Sequence, residues 1–97
     1  MEIRQISQNG KGSFKAFEND QEVGTLDYTW DNKNTMLLNH TGVIPAYEGK
    51  GIAKKLVMES VAYARQQNLK ILPRCPYAEK LFERSAEIQD VLYKSQL

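Results

Sequence analysis

The sequence contains very little cysteine, since Cys75 is the only one in 97 residues. This excludes an intramolecular disulfide and any metal site built from several cysteines. Long apolar runs are missing as well, because no stretch approaches the ~18 residues of a transmembrane helix. Residues 1–4 do not resemble the start of a signal peptide. We therefore expect a cytoplasmic protein with no membrane span and no bound metal.

An excess of charge of one sign is also missing. Thirteen Lys and Arg residues against 12 Asp and Glu residues leave a formal net charge of +1. Proteins that bind nucleic acid or an anionic membrane surface normally carry a basic excess. The charge balance therefore argues against both partners. The chain is 41% hydrophobic, which is enough for one small core, and we expect a single domain over residues 1–97.

The first half of the chain is typical of short strands separated by polar turns. Alternating and β-favouring side chains predict four strands, at residues 2–8, 13–18, 22–30 and 35–44. The polar segments between them, such as "NGKG" and "DNKN", have the length and composition of hairpin turns. These four strands should form an antiparallel meander.

The apolar period changes after Pro45. From residue 50 to residue 67, apolar residues follow the spacing of one helical face. A short strand at residues 69–72 comes next, and Pro76 then begins a second helix of about ten residues. The predicted order is β-β-β-β-α-β-α, an α+β fold in which strands four and five are parallel. The tail should add one short turn against the sheet, through Ile88, Val91, Leu92 and Tyr93.

The start of the first helix, "IPAYEGKGIAKKL", has an unusual composition. Two glycines and three lysines stand where capping side chains and acidic residues are normally found. Gly49 and Gly51 would let backbone amides approach an anion closely, as they do at phosphate-binding helix starts. The alternative is a tight strand-to-helix turn with solvated lysines. Neither the Walker nor the Rossmann glycine pattern is present.

Set between a strand and an amphipathic helix, "EGKGIA" resembles the acetyl-CoA-binding core of the GNAT N-acetyltransferase superfamily. The family signature is Gln/Arg-x-x-Gly-x-Gly/Ala. This sequence matches it at Gly51 and Ala53 and departs from it at Glu48, where the family has Gln or Arg. The segments "NHTGV", "GKGIAKKLV", "YAR..NLKILP" and "CPYA" follow the order and spacing of a short, single-domain branch of that family. That branch lacks the two early helices of longer members.

The resemblance implies that strands four and five splay apart and that the pantetheine arm of acetyl-CoA lies in the gap. Acetyl-CoA would be the co-substrate, and an amine on a small molecule or a protein would be the acceptor. The chain would act as a monomer or weak dimer. The residues assigned to acetyl-CoA binding are Thr41, Gly42, Val43, Gly49, Lys50, Gly51, Ile52, Ala53, Lys54, Tyr77 and Lys80.

Cys75 and His40 are the candidates for catalysis. Cys75 precedes the second helix, where a helix N-terminus and neighbouring Arg74 favour the reactive thiolate. It is either an acyl acceptor or site-lining residue, or a small buried cap without chemistry. His40, the only histidine, is suited to proton transfer near neutral pH and should face the cleft or the core by alternation. Its alternative is a structural role. Tyr77 either protonates the departing CoA thiolate or anchors the second helix.

The sequence therefore predicts an acetyl-CoA-dependent N-acetyltransferase with an unknown acceptor. A CoA-binding module with little or no turnover is the alternative, because so short a chain lacks the helices that usually shape an acceptor pocket. A plain interaction domain, in which "EGKGIA" is only a turn, is the third interpretation. We expect Glu48 to point away from the phosphates, since a carboxylate facing them would oppose binding.

Overall fold

The structure is a computed structural model that describes residues 1–94. Five strands form one mixed sheet in the order β1-β2-β3-β4-β5. The strands are β1 (Glu2–Gln8), β2 (Lys11–Glu18), β3 (Gln21–Asn32), β4 (Thr35–Val43) and β5 (Lys70–Pro73). Helix α1 (Ile52–Gln67) precedes β5 and helix α2 (Pro76–Arg84) follows it. The predicted α+β fold and its element order are confirmed.

β1 to β4 form the antiparallel meander that the polar turns predict. The first two hairpin turns contain residues with positive φ, which are Asn9, Gly10, Asn19 and Asp20. Asn, Asp and Gly tolerate this conformation better than other residues do. α1 then returns the chain, so that β5 pairs in parallel with β4, as the helix crossover predicts.

α1 packs on one face of the sheet, against β2, β3 and β4. Its buried residues recur at helical spacing and are Ile52, Leu56, Val57, Ser60, Val61 and Ala64. The helix begins at Ile52 rather than at residue 50, because Gly51 has a φ of 79° and lies outside the helical region. The sheet residues beneath α1 supply the other half of the core, among them Phe14, Leu26, Tyr28, Met36 and Leu38.

A β-bulge divides β4 at Asn39. Tyr28 on β3 pairs with Leu38, but the preceding residue, Asp27, pairs with His40. Asn39 therefore has no partner of its own on β3. Such an extra residue exchanges the two faces of the strand for every residue that follows it.

The bulge decides where the end of β4 directs its side chains. Thr41 pairs with Leu26 and lies on the core face of the sheet. His40 is exposed on the opposite face. The expectation that alternation turns His40 towards the cleft or core is wrong, because the count of residues from Leu38 is shifted by one at Asn39.

β4 and β5 separate after a short parallel ladder. The ladder ends where Leu38 pairs with Pro73. Beyond it, the N–H groups of Arg74 and Cys75 both donate to the carbonyl oxygen of Leu38, at 2.9 and 3.0 Å. β4 continues to Val43 without β5 beside it. The predicted splay of strands four and five is therefore confirmed.

The tail packs against β5 as predicted. A 3₁₀ turn, Ala86–Val91, follows α2 and buries Ile88. Leu92 then forms a parallel bridge with Ile71, and the N–H of Tyr93 donates to the Ile71 carbonyl at 2.8 Å. This contact covers the outer side of the short strand β5.

Candidate functional site

The N-terminus of α1 has no side-chain cap. Gly51 is its N-cap residue, and no side chain among residues 1–94 bonds to the first amides of the helix. The carbonyl of Gly51 accepts from the Lys55 N–H at 3.1 Å, so helical hydrogen bonding begins there. The amides of Ile52, Ala53 and Lys54 precede that bond and have no helical acceptor. They are available as donors to an anion.

Gly49 and Gly51 shape the turn in front of α1. Both have a φ of 79°, in a region that residues with a Cβ rarely adopt. A Cβ added at either position would meet no atom within 4 Å. The need for glycine is therefore conformational, and the space in front of the turn is open to a ligand.

A cleft of about 420 Å³ lies at this helix start. The end of β4, the glycine turn with the first turn of α1, and the start of α2 line it. The lining residues are Val43, Tyr47, Glu48, Gly49, Gly51, Ile52, Ala53, Lys54 and Tyr77. All of them except Tyr47 and Glu48 belong to the set predicted to bind acetyl-CoA.

The lysines of the helix start leave their positive charge unmatched. Lys54 lines the cleft. The Nζ atom of Lys50 lies 5.5 Å from the centre of the Tyr47 ring, which is within the range of a cation–π contact. Within the described residues, neither lysine forms an ion pair. Together with the positive end of the helix dipole, they make this end of α1 attractive to anions.

The sequence prediction missed two cleft residues. Tyr47 ends the 3₁₀ turn Pro45–Tyr47 and is half-buried; an aromatic residue between a proline and the glycine turn was its only signal. Glu48 also lines the cleft and is exposed; that its carboxylate points away from a bound phosphate stays a prediction. Because a carboxylate repels other anions, Glu48 reduces the electrostatic fit of the cleft for a phosphate.

Cys75 and Thr41 meet at the gap between β4 and β5. The Sγ atom of Cys75 lies 3.2 Å from the Oγ1 atom of Thr41, and either atom can donate the hydrogen bond. Cys75 is the N-cap residue of α2, but its side chain makes no capping bond. It is only 6% exposed. The thiol therefore lies at a helix start, next to a hydroxyl, and largely out of contact with solvent.

Besides Thr41, Lys50 and Cys75, three further predicted site residues do not belong to the lining of the cleft. His40 and Gly42 share the opposite face of β4, where a Cβ on Gly42 would lie 3.1 Å from the His40 Nε2 atom. Lys80 is exposed on α2, and its carbonyl accepts from the Arg84 Nε atom at 3.3 Å. The structure does not bring these residues to the lining of the cleft, and their roles stay predictions.

Two other kinds of feature are missing from residues 1–94. No helix there combines the length and the apolar character needed to span a membrane. Nor does that part of the chain gather three or more His, Cys, Asp or Glu side chains into a group that could hold a metal ion.

Known proteins resemble the chain in both sequence and structure. The model of a family described as GCN5-related N-acetyl-transferase matches residues 13–91. A solution NMR structure of a GCN5-like candidate N-acetyltransferase from Staphylococcus aureus is 30% identical and has a TM-score of 0.71. The match covers 98% of this chain and 90% of that one. No curated protein matches.

Two solved structures share the fold at lower identity. The aminoglycoside N-acetyltransferase AAC(6')-Iy in complex with CoA is 14% identical, with a TM-score of 0.65 over 99% of this chain and 93% of that one. A ribosomal-protein-alanine N-acetyltransferase from Brucella melitensis is 18% identical, with a TM-score of 0.69 over 93% of this chain and 67% of that one. At these identities the likeness concerns the fold alone.

Proposed function

This chain belongs to the GCN5-related N-acetyltransferase family, and from that membership we propose that it binds acetyl-CoA and transfers the acetyl group to an amine. The cleft at the start of α1 is the observation that carries this conclusion. It combines helix amides without helical acceptors, two glycines at a φ of 79° and lysines without ion-pair partners among residues 1–94.

The cleft has the chemistry that a pyrophosphate needs. The first-turn amides of α1 donate hydrogen bonds, and the helix dipole with Lys54 and Lys50 favours negative charge. The open space at Gly49 and Gly51 would allow phosphate oxygens to approach the backbone. Tyr47 and Tyr77 add apolar surface to the walls.

The free edge of β4 would receive the pantetheine arm. Within residues 1–94, pairing with β5 stops at Leu38. Backbone groups from Thr41 to Val43, including those of Gly42, are thus open to amide groups of the arm, as they would be to an added strand. This edge runs from the cleft to the contact between Thr41 and Cys75, so the thioester would lie near both residues.

In the proposed reaction, the amine nitrogen attacks the thioester carbonyl carbon. The N–C bond forms, the C–S bond breaks, and CoA leaves as a thiolate. A backbone N–H near Val43 would stabilise the carbonyl oxygen as negative charge develops on it. His40 would accept the proton that the amine loses, and the Tyr77 hydroxyl would donate one to the thiolate. Cys75 would line the acetyl site.

The first test is a thermal-shift titration with CoA. Binding to the native state must raise the Tm, so we expect a rise that saturates with CoA concentration. No rise at CoA concentrations far above a plausible Kd would contradict the proposal. Transfer is tested separately, by incubating the protein with acetyl-CoA and mixtures of amines and detecting an acetyl mass increment on an amine.

A CoA-binding module with little or no turnover is the second candidate. The burial of Cys75 favours it, because a thiol that is 6% exposed is poorly placed to take an acyl group from solution. A rise in Tm with CoA and no acetylated amine or thiol would select this alternative. An acetyl increment on Cys75 would instead select an acyl-enzyme route.

Residues 1–97 would act as one acetyltransferase domain. A cytoplasmic location and a monomeric or weakly dimeric state complete the proposal, with no nucleic-acid or membrane partner. The net charge of +1 supports the exclusion of those two partners, since both require a basic surface. Gel filtration across a range of protein concentrations would measure the oligomeric state.

A further inference from the structure

The sheet face that α1 leaves uncovered carries a depression of about 360 Å³. Its lining draws on all four antiparallel strands and includes Ile6, Lys11, Ser13, Asp27 and Asn39. Asn39 is the bulge residue of β4. The depression therefore ends next to the point where β4 and β5 separate.

Asp27 offers the depression one unused carboxylate oxygen. Its Oδ1 atom accepts hydrogen bonds from the Ser13 and Thr25 hydroxyls, at 2.7 and 2.9 Å. In the part of the chain that the structure describes, no side chain donates to Oδ2, and no basic group pairs with the carboxylate. Asp27 is half-buried on a central strand. The two hydroxyls hold the carboxylate in place and leave Oδ2 available to a cationic group.

The two lysines beside Asp27 differ in their charge balance. The Nζ atom of Lys15 lies 3.2 Å from the Glu22 carboxylate, which offsets its charge. Lys11 is exposed and forms no ion pair within residues 1–94. Because Lys11 pairs with Thr29, two residues beyond Asp27, Lys11 and Asp27 are diagonal neighbours, about 7–8 Å apart. The depression thus presents one unmatched negative and one unmatched positive group at a short separation.

We propose that this depression binds the acetyl acceptor and that the acceptor is a free amino acid. Its ammonium group would bind Oδ2 of Asp27, and its carboxylate would bind Lys11. An apolar side chain would lie on Ile6, which is 46% exposed. A zwitterion matches both charges, whereas a polyamine would be repelled by Lys11 and a carboxylic acid by Asp27.

The location agrees with the reaction proposed above, on which this inference rests. Asp27 pairs with His40 across β3 and β4, and neighbouring strands lie about 4.8 Å apart. An amine on Asp27 would therefore lie beside His40 and within about two strand spacings of the free edge of β4. His40, exposed on the same face, is placed to accept the proton of that amine.

The test is a titration of ¹⁵N-labelled protein, followed by its amide chemical shifts. The probes are L-leucine, isopentylamine, which lacks the carboxylate, and isocaproate, which lacks the amine. We expect saturable shifts at Ser13, Asp27 and Asn39 with leucine. Each partial probe should bind at least about tenfold more weakly, since it loses one charge-assisted contact. Isopentylamine binding as tightly as leucine would overturn the amino-acid assignment, and so would spermidine binding more tightly.

Matched variants test whether the charges of Asp27 and Lys11 bind leucine. Asp27→Asn keeps the Oδ1 acceptor for Ser13 and Thr25, and Lys11→Gln keeps most of the side-chain length. Each should weaken leucine binding by about tenfold or more. Asp20→Asn in the β2–β3 turn and Lys33→Gln in the β3–β4 turn make the same charge changes at exposed positions and should change it by less than about twofold. Equal affinities in all four variants would overturn the proposal, as would the absence of saturable shifts in the wild type.

The wild type and the variants are titrated with leucine in the presence and in the absence of CoA. Failure of the proposed function would appear as a missing CoA-induced rise in Tm, whatever leucine does. Failure of the acceptor inference would appear as a CoA response without a leucine response at the depression. The two failures are therefore distinguishable.

Discussion

α1 begins after Gly51, whose φ of 79° opens a cleft, whereas α2 begins after Cys75, which is 6% exposed and contacts Thr41. No side chain caps either helix. At α2, Pro76 removes one orphan donor because it has no N–H, and the Cys75 side chain in front of it is buried against Thr41. At α1 the orphan amides remain and the space in front of them is open. We therefore assign the proposed ligand site to the start of α1, where the backbone at Gly51 leaves that space open.

The charges in the first turns of α1 and α2 differ as well. α2 has Glu79 in its first turn, which suits the positive end of the helix dipole. α1 has no acidic residue in its first turn and carries Lys54 and Lys55 there instead. The electrostatics of α2 are satisfied within the protein. Those of α1 would be satisfied by a bound anion, as the proposed function requires.

Substitution of Gly51 should have the largest effect on CoA binding at the start of α1. Gly51→Val strains the left-handed backbone and fills the space before the helix amides, so we expect the CoA-induced rise in Tm to be lost. Gly10→Val is the matched control, because Gly10 also has a φ of 79° and also has nothing within 4 Å of an added Cβ. Both variants should lose about 1–2 kcal/mol of stability to backbone strain. A retained CoA response in Gly51→Val would contradict the cleft assignment.

Removal of the Cys75 thiol should affect stability and leave CoA affinity unchanged. Cys75→Ala removes a buried sulfur and its contact with Thr41, which should cost about 1–2 kcal/mol in the free energy of unfolding. The CoA-induced rise in Tm should persist, because Cys75 does not belong to the lining of the cleft at the start of α1. Urea denaturation with and without CoA measures both quantities. A loss of CoA binding at equal stability would show that the two helix starts act as one site.

Neutralisation of Lys54 should have a smaller effect on CoA binding. Lys54→Gln removes one positive charge from the cleft and should weaken CoA binding by about 0.3–1 kcal/mol, with a reduced dependence on salt. Lys33→Gln, in the exposed β3–β4 turn, is the control and should change neither quantity. Calorimetric titration at two salt concentrations provides the measurement. If both variants behave like the wild type, the lysine charge contributes nothing to binding.

The smallest expected effect is a gain in CoA affinity. Glu48→Gln removes the one carboxylate that lines the cleft, and CoA binding should tighten by a few tenths of a kcal/mol, since the group is exposed and screened. Glu87→Gln, on the exposed 3₁₀ turn after α2, is the control. Weaker CoA binding in Glu48→Gln would mean that the carboxylate holds the turn in its binding conformation.

Sequence patterns predicted the fold because its determinants are local. The polar turns, the helical spacing from Ala53 to Ala64 and the proline at the start of α2 each define one element. The element order then leaves β4 and β5 parallel. The family resemblance supplied most of the cleft, because the glycine turn is continuous in sequence.

The parts that could not be predicted depend on backbone geometry between elements. The sequence Leu38-Asn39-His40 is compatible with uninterrupted alternation, and only the pairing with β3 reveals that Asn39 is a bulge. The grouping of Asp27 with Lys11 depends on the register between β2 and β3. The hairpin turns constrain that register but do not determine it.

Asn39 makes β4 sensitive to its length as well as to its composition. A substitution in this strand changes one side chain, but deletion of Asn39 would restore simple alternation and invert the rest of β4. His40 would then turn inward against the core, and Thr41 would turn away from Cys75. We expect a single-residue deletion scan to find its lowest tolerance at this strand. In the exposed turn at Asn9 and Gly10, by contrast, a residue should be gained or lost at little cost.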